Sequence, residues 1–487
     1  MQTTPSEKKL LFLAGRWEDG EDVTTVTNPF SGAVEAEVAR AGSATVVEAV
    51  TAALAGFQAM RRLSSFARSE ILRKVSESIS DRREEFARTI TRENGKPIRQ
   101  ARTEVERATH TFRIASEEAT RVGGEIAPLD LRPGLEGRFG LIRRVPLGPV
   151  LGIAPFNFPL NLVAHKVAPA LAAGCSIVLK PASRTPLSAL LLAEVLEQAG
   201  LPPGGLSVLP CRRMVGDLLV QDERFRALSF TGSPEVGFGL KAKAGKKPVV
   251  LELGGNAAVV VHEDADLEAA VRQSVTGAFA YAGQVCISVQ RVFVHEAVAD
   301  EFTERFVDAT EKLVVGDPLD EKTDVGPLID DENAARVESW IEEARARGAR
   351  VLTGGSRQGR LLLPTVLEGV DPSLPVDCAE AFGPVVNLHR YADFADAIDR
   401  VNRSRYGLQA GVFTRDLGRA LSAFDELEVG GVILNDAPTF RVDSMPYGGT
   451  KDSGIGREGV KYAVEHFTEP RLLVVNPPPA VPRDGRA

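Results

Sequence analysis

Cys286 lies in a stretch of the chain whose residue types could support a reactive thiol. Ala282 and Gly283 precede it, and the apolar residues within positions 291–295 predict a strand after it. A thiol on a loop between a helix and a strand can be reached by a substrate. An unpaired cysteine is also commonly a small buried hydrophobe, and the stretch by itself favours that interpretation.

Two distant segments add groups that could assist a thiol nucleophile. Glu252 lies inside the apolar run 249–253, with Gly254 and Gly255 behind it. Burial would raise the pKa of this carboxyl toward the range in which a general base works at neutral pH. Asn157 lies between two aromatic residues and two prolines, so its amide could donate to an oxyanion. A glutamate on a solvated strand face and an ordinary turn asparagine are the alternatives.

The cysteine, the carboxylate and the amide together resemble the aldehyde dehydrogenase superfamily. The resemblance extends over residues 17–475, nearly the whole chain. Besides the three segments above, four short motifs stand in the family's order: KPAS at 180–183, FTGS at 230–233, EAFGP at 380–384 and PYGG at 446–449. Each motif is weak alone, but seven ordered matches are a specific signal.

This resemblance implies the oxidation of an aldehyde to a carboxylate. Cys286 would attack the aldehyde to form a thiohemiacetal, and loss of hydride to a nicotinamide would leave a thioester for water to cleave. The Asn157 amide and the Cys286 backbone N–H would hold the oxyanion, while Glu252 would activate the thiol or the deacylating water. Glu252 also argues against the branch of the family that passes its acyl group to coenzyme A.

The resemblance further implies a coenzyme site. Lys180 would contact the adenosine ribose, and Gly232 and Ser233, which open a predicted helix, would bind the pyrophosphate. Glu380 would hold the nicotinamide ribose, with Phe382 beside the nicotinamide. The full set of expected coenzyme contacts is Lys180, Ser183, Gly232, Ser233, Glu380, Phe382 and Phe156.

Ser183 bears on the choice of coenzyme. Many NAD-dependent members carry glutamate at this position, where it holds the adenosine 2′-hydroxyl and repels a 2′-phosphate. That carboxylate is missing here, and Lys180 and Arg184 flank the position. We therefore expect NADP or NAD as coenzyme, with NADP favoured.

The substrate side of the resemblance is less diagnostic. Arg441 lies near the position at which non-phosphorylating glyceraldehyde-3-phosphate dehydrogenases place an arginine for the substrate phosphate, but Val285 stands where they have a second arginine. A small anionic or hydroxylated aldehyde, similar to succinate semialdehyde, lactaldehyde or glyceraldehyde 3-phosphate, is expected. Lys166 and Glu458 match positions proposed to relay protons, and an ordinary ion pair is the alternative.

A cysteine hydrolase or esterase without redox chemistry is the main rival function. It would use Cys286 and Glu252, but no histidine stands close to either residue in the sequence. It also leaves the predicted nucleotide site unexplained. A catalytically silent protein is a second rival, against which the intact Cys286, Glu252 and Asn157 speak.

Composition restricts the class of protein. A chain of 487 residues with 25% charged and 44% hydrophobic residues is typical of a soluble protein with two or three domains. A net charge of -8 without a dense basic run argues against nucleic acid or acidic lipid as partner. No signal peptide, transit peptide or membrane-length apolar run is evident, and the four scattered cysteines lack metal-ligand spacing. A cytoplasmic protein without a structural metal is expected.

The elements that must position these groups follow two α/β alternations. Short apolar strands alternate with helices over residues 148–261 and again over 267–434, which predicts parallel sheets in two α/β domains with the active site between them. The expected domains are a Rossmann-like coenzyme domain at 1–124 and 145–256, a catalytic domain at 257–450, and a small β arm with the tail at 125–144 and 470–487.

The arm carries an expectation about assembly. In the family this region joins subunits, so a homodimer or homotetramer is implied. The strand predicted at 471–475 would then pair across the subunit interface.

Overall fold

Two largely parallel sheets organise the computed structural model, which describes residues 8–477. The first sheet has eight strands, and the middle five, from Val249–Glu252 to Leu206–Val208, are parallel. Their spatial order is Gly454–Ile455, Val249–Glu252, Ala227–Thr231, Val150–Ile153, Ile177–Lys180, Leu206–Val208, Leu11–Leu13 and Arg16–Glu18. These parallel strands confirm the first predicted alternation.

The second sheet has seven strands, of which all but the first are parallel. Their spatial order is Arg350–Thr353, Thr365–Glu368, Val385–Tyr391, Val289–His295, Ala257–Val261, Gln409–Phe413 and Gly431–Leu434. Because the sheet is covered on its faces, strands such as Ala257–Val261 are buried at every position. The α/β fold class is therefore confirmed.

Helices cover both sheets. The helix Asn161–Ala173 is buried along its whole length, because it lies between the first sheet and the helix Ile98–Arg121. The helices are Ser43–Met60, Ser65–Asp81, Arg83–Asn94, Ile98–Arg121, Asn161–Ala173, Leu187–Gln198, Arg213–Gln221, Pro234–Lys243, Leu267–Phe279, Ala299–Glu311, Asp331–Ala346, Pro375–Cys378, Phe394–Asn402, Leu417–Glu426 and Val460–His466.

One of these helices, Ser43–Met60, is long and apolar enough by length and composition to cross a membrane, a candidate that the sequence pattern did not bring out. Its Ala49, Val50 and Ala53 belong to the core beside the first sheet. The core helix of a soluble protein meets the same length and composition.

A three-stranded antiparallel sheet forms the predicted arm. Its order is Thr468–Val475, Phe139–Pro146 and Gly124–Pro128, all from one chain. Leu472 pairs with Ile142 of the same chain, which occupies one edge of this strand, and the expectation that residues 471–475 pair across a subunit interface stays a prediction for the other edge. The predicted domain boundaries stay a prediction, and residues 478–487 of the tail lie outside the described residues.

Three small sheets complete the strands of residues 8–477. Val34–Arg40 pairs with Lys8–Lys9 and Asp22–Thr27, ahead of the first long helix. The two remaining pairs are Arg357–Gln358 with Leu361–Leu362 and Tyr406–Gly407 with Thr450–Lys451.

Candidate active site

The Cys286 loop turns sharply between a helix and a strand, as the sequence predicted. The helix Leu267–Phe279 is followed by the short 3-10 segment Ala280–Gly283, in which Tyr281 and Ala282 have φ angles of 49° and 52°. These left-handed residues redirect the chain before the strand Val289–His295. Such conformations persist only where surrounding structure holds them, and they cluster at functional sites.

A close backbone approach brings the Glu252 segment to this loop. A Cβ at Gly255 would lie 2.2 Å from the Cys286 carbonyl oxygen, so glycine is required there. The strand Val249–Glu252 ends three residues before that contact. The two segments, 34 positions apart from Glu252 to Cys286 in the chain, therefore meet at the strand ends.

The Cys286 thiol is held by Tyr447. The sulfur lies 2.9 Å from the Tyr447 hydroxyl oxygen. Burial raises the pKa of the thiol to about 11, although the Tyr447 hydrogen bond and the Arg441 charge oppose this rise. The resting group is therefore a neutral thiol at physiological pH.

Asn157 lies against the same loop. Its side-chain Nδ2 donates to the Gln284 carbonyl oxygen at 3.1 Å, and its backbone carbonyl oxygen accepts from Lys96 Nζ at 2.7 Å. A primary amide has two N–H groups, so one remains after the bond to Gln284. The buried amide is thus fixed against the Cys286 loop, in the cleft that Cys286 also lines, with one N–H to spare.

Glu252 is a buried carboxyl without a hydrogen-bond partner. Neither of its side-chain oxygens has one among the described residues. Burial first, and the negative charge of Glu458 second, raise the pKa of Glu252 well above its usual range. The carboxyl is therefore held in its neutral form more strongly than an exposed glutamate.

Glu458 lies in a buried chain of charges. Its two side-chain oxygens pair with Lys166 Nζ at 3.2 Å and Arg441 Nη2 at 3.1 Å. Burial would raise the pKa of Glu458, but the charges of Lys166, His165 and Arg441 outweigh it and hold the pKa well below its usual range. The ion pair considered from the sequence is present, while proton relay stays a prediction.

Asp443 anchors a second polar cluster. His165 Nε2 lies 2.8 Å from its Oδ1, and Arg107 Nη2 donates to the same oxygen at 2.8 Å. Burial opposes ionisation of Asp443, but the hydrogen bond from His165 and the Arg107 charge hold its pKa well below the usual range. The buried His165 thus has a structural contact with Asp443.

Two cavities meet at Cys286. A cleft of about 730 Å³ is lined by eight of the predicted site residues and extends to the strand ends of the first sheet. A pocket of about 240 Å³ lies on the other side. The residues that line both cavities are Leu162, Cys286, Arg441 and Tyr447.

The cleft brings together most of the predicted coenzyme residues and all three catalytic candidates. Lining residues include Phe156, Asn157, Gly232, Ser233, Glu252, Cys286, Glu380 and Phe382. Ser233 caps the helix Pro234–Lys243, so the backbone N–H groups at that helix start point toward the cleft. Phe156 and Phe382 meet edge to face, with ring centroids 5.8 Å apart.

Glu380 is positioned by the backbone. Its Oε1 accepts from the Gly255 N–H at 3.0 Å, and burial raises its pKa to about 7. A Cβ at Gly254 would lie 2.4 Å from Glu380 Oε2, so this carboxyl also depends on a glycine beside it. A helix start for phosphate, apolar rings and a fixed carboxyl fit a dinucleotide.

The adenosine end differs from expectation in one contact. Lys180 extends along the helix Arg213–Gln221, where a Cβ at Gly216 would lie 3.1 Å from its Cδ and Cε. Ser183 is exposed on the following turn. Arg184, expected to flank a 2′-phosphate, instead pairs with Asp330 at 2.9 Å. Neither Lys180 nor Ser183 lines the cleft itself, although Ala182 does.

Comparison with known proteins identifies the family. The model of the "Aldehyde dehydrogenase family" matches residues 17–473. The chain belongs to the aldehyde dehydrogenase family. It is therefore an enzyme of the oxidoreductase class, as the motifs predicted. Its relatives include the 3-sulfolactaldehyde dehydrogenase of Priestia aryabhattai. The two sequences are 47% identical over 467 residues, which cover 96% of this chain and 98% of that protein.

Solved aldehyde dehydrogenase structures agree closely with this fold. Aldehyde dehydrogenase 21 of Physcomitrella patens, in complex with the reaction product succinate, aligns with a TM-score of 0.96 and 47% identity over 98% of this chain and 100% of that one. GapN of Methanocaldococcus jannaschii, a glyceraldehyde-3-phosphate dehydrogenase complexed with NADP, aligns with a TM-score of 0.90 and 41% identity. The alignment covers 93% of this chain and 99% of that one.

The aldehyde dehydrogenase fold also brings residues to the site that the sequence did not reveal. On the cleft side they are Asn333, Arg336, Trp340, Arg405 and Tyr406, and on the pocket side they include Gln100, Arg107 and Phe158. No local pattern marks them, because they are polar or aromatic positions on ordinary helices and loops. No histidine is among the residues that line either cavity, so the rival hydrolase lacks a Cys–His pair there.

Proposed function

We propose that this enzyme oxidises a small anionic aldehyde to its carboxylate with NADP, using Cys286 as the nucleophile and water as the final acyl acceptor. One observation carries the proposal. The Cys286 sulfur lies where a cleft that fits a dinucleotide meets a smaller pocket bordered by two arginines. An aldehyde in the pocket and a coenzyme in the cleft could therefore reach the same sulfur.

Covalent attack would be assisted by the neighbouring donors. The Cys286 thiolate adds to the carbonyl carbon, and the Asn157 N–H that remains after its bond to Gln284 donates to the oxyanion together with the Cys286 backbone N–H. Removal of one such donor typically costs about 10²–10³-fold in rate. A bound nicotinamide supplies the hydride acceptor for the next step.

Deacylation is assigned to Glu252. This carboxyl lines the cleft but not the pocket, so it would deliver an activated water from the coenzyme side. Its raised pKa suits a proton acceptor that works near neutral pH, since a base is most effective when its pKa is close to the working pH. Water, rather than coenzyme A, is the expected acceptor.

NADP is the coenzyme that the chain supports best. Gly232 and Ser233 at the helix start would hold the pyrophosphate, and Glu380 the nicotinamide ribose. Ser183 offers a hydroxyl where a carboxylate would repel a 2′-phosphate, and Lys180 stands nearby as the cation. The NADP complex of the similar GapN supports this assignment.

An anionic group on the substrate is supported by the charges of the pocket. Arg107 and Arg441 line it, while their carboxylate partners Asp443 and Glu458 do not. The Arg441 Nε is buried without a hydrogen-bond partner among the described residues. An unpaired buried donor is costly, so a substrate oxygen that accepts from it would be stabilised. The relatives named for sulfolactaldehyde and bound to succinate also handle anionic molecules.

An aldehyde panel tests the proposal. Reduction of NADP and NAD is followed at 340 nm with pairs of equal length, such as succinate semialdehyde and butanal, or sulfolactaldehyde and lactaldehyde. The anionic member should have the higher kcat/KM. No reduction with any aldehyde would refute aldehyde oxidation, and equal rates within each pair would refute the anion site.

Arg107→Met sharpens the same test. Loss of a charge-assisted hydrogen bond, about 1.5–3 kcal/mol, should raise KM for the anionic member by about 10–100-fold and leave the neutral member nearly unchanged. Arg113→Met is the matched control, because Arg113 is exposed on the same helix, Ile98–Arg121.

We also propose that the enzyme is a homodimer or homotetramer in the cytoplasm. Within residues 8–477 the strand Thr468–Val475 has one unpaired edge, and its Leu472, Leu473 and Val474 are 52%, 60% and 53% exposed. An apolar edge strand of this kind invites pairing with another chain, here a second copy. All four cysteines are free, which suits a reducing compartment. Light scattering of the purified enzyme measures the number of subunits.

A further inference from the structure

We propose that Tyr447 is a further catalytic residue, whose phenol hydroxyl donates a hydrogen bond to the Cys286 sulfur, favours the thiolate and holds it at the junction of the two cavities. The inference rests on the proposed role of Cys286 as nucleophile. It adds a group that makes the reactive thiolate form of this mostly neutral thiol easier to reach.

The geometry fixes the hydroxyl at the sulfur. The oxygen-to-sulfur distance is 2.9 Å, and Tyr447 is only 3% exposed. Its backbone exchanges hydrogen bonds with Glu458, from the Tyr447 N–H at 3.0 Å and back from the Glu458 N–H at 2.6 Å. The Arg441 guanidinium carbon lies 3.6 Å from the centre of the Tyr447 ring. The ring is therefore held by its backbone and on one face.

The chemistry favours donation from the phenol to the sulfur. Burial raises the pKa of Tyr447 well above its usual range, so the hydroxyl keeps its proton and remains a donor. A hydrogen bond to the charged form of a group favours that form. The Arg441 cation against the ring face draws electron density from the phenol, which strengthens its O–H as a donor. The thiol proton itself leaves to a base or to water, because Tyr447 donates a hydrogen bond and not a proton.

The other charged groups around the sulfur do not replace this contact. Glu252 and Glu380 are carboxyls, whose negative forms oppose a thiolate. Arg441 favours the thiolate through its charge, but its Nη2 is bonded to Glu458 and its side chain lies behind the Tyr447 ring. Asn157 is assigned to the oxyanion. Tyr447 is thus the described side chain that hydrogen-bonds the resting sulfur.

Tyr447→Phe tests the contact with little change of shape. The full-length enzyme, without aldehyde or coenzyme, is alkylated with iodoacetamide between pH 7 and pH 9, and the Cys286 peptide is followed by mass spectrometry to separate it from the other three cysteines. If Tyr447→Phe raises the pKa of Cys286 by about one unit, the thiolate fraction falls about tenfold. The more basic thiolate is also a better nucleophile, which increases the alkylation rate of each thiolate about threefold. Alkylation should therefore be about threefold slower at each pH.

Two further samples separate this role from a structural one. Tyr391→Phe removes another buried phenol hydroxyl, which bonds the Val261 carbonyl oxygen in the second sheet, and should leave the alkylation profile unchanged. Biosynthetic 3-fluorotyrosine makes the phenol a stronger donor and should speed alkylation of the wild type but not of Tyr447→Phe. If Tyr447 only fills space, neither Tyr447→Phe nor 3-fluorotyrosine will change the rate of alkylation.

The outcomes also distinguish this inference from the proposed function. Equal alkylation profiles for wild type and Tyr447→Phe would overturn the role of Tyr447 even if the aldehyde panel succeeds. An aldehyde panel without turnover would overturn the proposed function even if the profile shifts, because alkylation requires no aldehyde.

Discussion

The cleft and the pocket on either side of Cys286 differ in how their carboxyl groups are paired. On the cleft side, the buried Glu252 and the half-buried Glu380 have no ion pair among the described residues, and burial raises the pKa of each. On the pocket side, Arg107 and Arg441 are held by the buried Asp443 and Glu458, and paired cations hold the pKa of both carboxyls well below its usual range. Glu458 also lines the cleft, so cation pairing, more than position, decides whether a carboxyl leans neutral or stays ionised.

This difference separates two kinds of work. Carboxyls with raised pKa values can exchange protons near neutral pH, which suits proton transfer beside a coenzyme. Carboxylates with lowered pKa values hold Arg107 and Arg441 in fixed positions, which suits recognition of a substrate anion. The cleft side is therefore suited to proton exchange (the exchange side), and the pocket side keeps its arginine charges constant (the constant-charge side).

Cys286→Ala removes the one reacting atom that both sides share and should have the largest effect. Aldehyde oxidation should fall by about 10⁴-fold or more, because a covalent route has no substitute nucleophile at the junction. NADPH binding, followed by fluorescence titration, should change little, since the cleft contacts remain. Cys378→Ala, at an exposed position, is the control. Substantial residual oxidation would place the nucleophile elsewhere.

Glu252→Gln tests the exchange side and should have the next largest effect. Hydride transfer should continue, while hydrolysis of the thioester slows by about 10²–10⁴-fold for loss of a general base. Rapid mixing should then show a burst of reduced coenzyme followed by a stalled steady state. Equal slowing of both phases would contradict a role in deacylation.

The same variant has a pH-dependent effect on stability. A carboxyl whose pKa is raised in the folded state binds its proton more tightly there, so wild type loses stability as pH rises from the unfolded pKa to the folded pKa. Each pH unit in that window costs about 1.4 kcal/mol. Glutamine does not titrate, so Glu252→Gln should equal wild type near pH 4 and exceed it increasingly above pH 5 in urea unfolding. A constant difference across pH would show that Glu252 is not buried neutral.

The sequence predicted the exchange side better than the constant-charge side, for a physical reason. Buried parallel strands are short apolar runs, and the groups at their ends, such as Glu252 and Asn157, stand beside those runs in the chain. The pocket has no such local signal. Arg107 is one polar position on an amphipathic helix, and its partner Asp443 lies 336 positions later.

Two further contacts that the sequence did not predict also join distant parts of the chain. The strand Thr468–Val475 was recognised, but its partner Phe139–Pro146 was not, because pairing register is set by contacts across the fold. The ion pair of Arg184 with Asp330 was likewise not predicted, while the place of Arg184 beside the coenzyme phosphate stays a prediction. In both cases the two partners stand far apart in the sequence.

The smallest effect is expected at the outer end of the cleft, where Ser183→Glu tests the choice of coenzyme. A 2′-phosphate carries close to two negative charges, and a carboxylate in contact with it costs roughly a few kcal/mol where screening is poor. The kcat/KM with NADP should therefore fall by about 10–100-fold, while that with NAD stays constant or rises, because its 2′-hydroxyl gains an acceptor.

Ser183→Ala is the matched control for this prediction, since it removes the hydroxyl without adding charge. It should lower the NADP efficiency only slightly, because Lys180 remains as the cation near the 2′-position, while Arg184 stays bound to Asp330. If Ser183 instead faces only solvent, as its exposure allows, both substitutions will change the two efficiencies by one small factor. The preference for NADP would then have to come from Lys180 or the backbone, and the absent carboxylate would explain nothing.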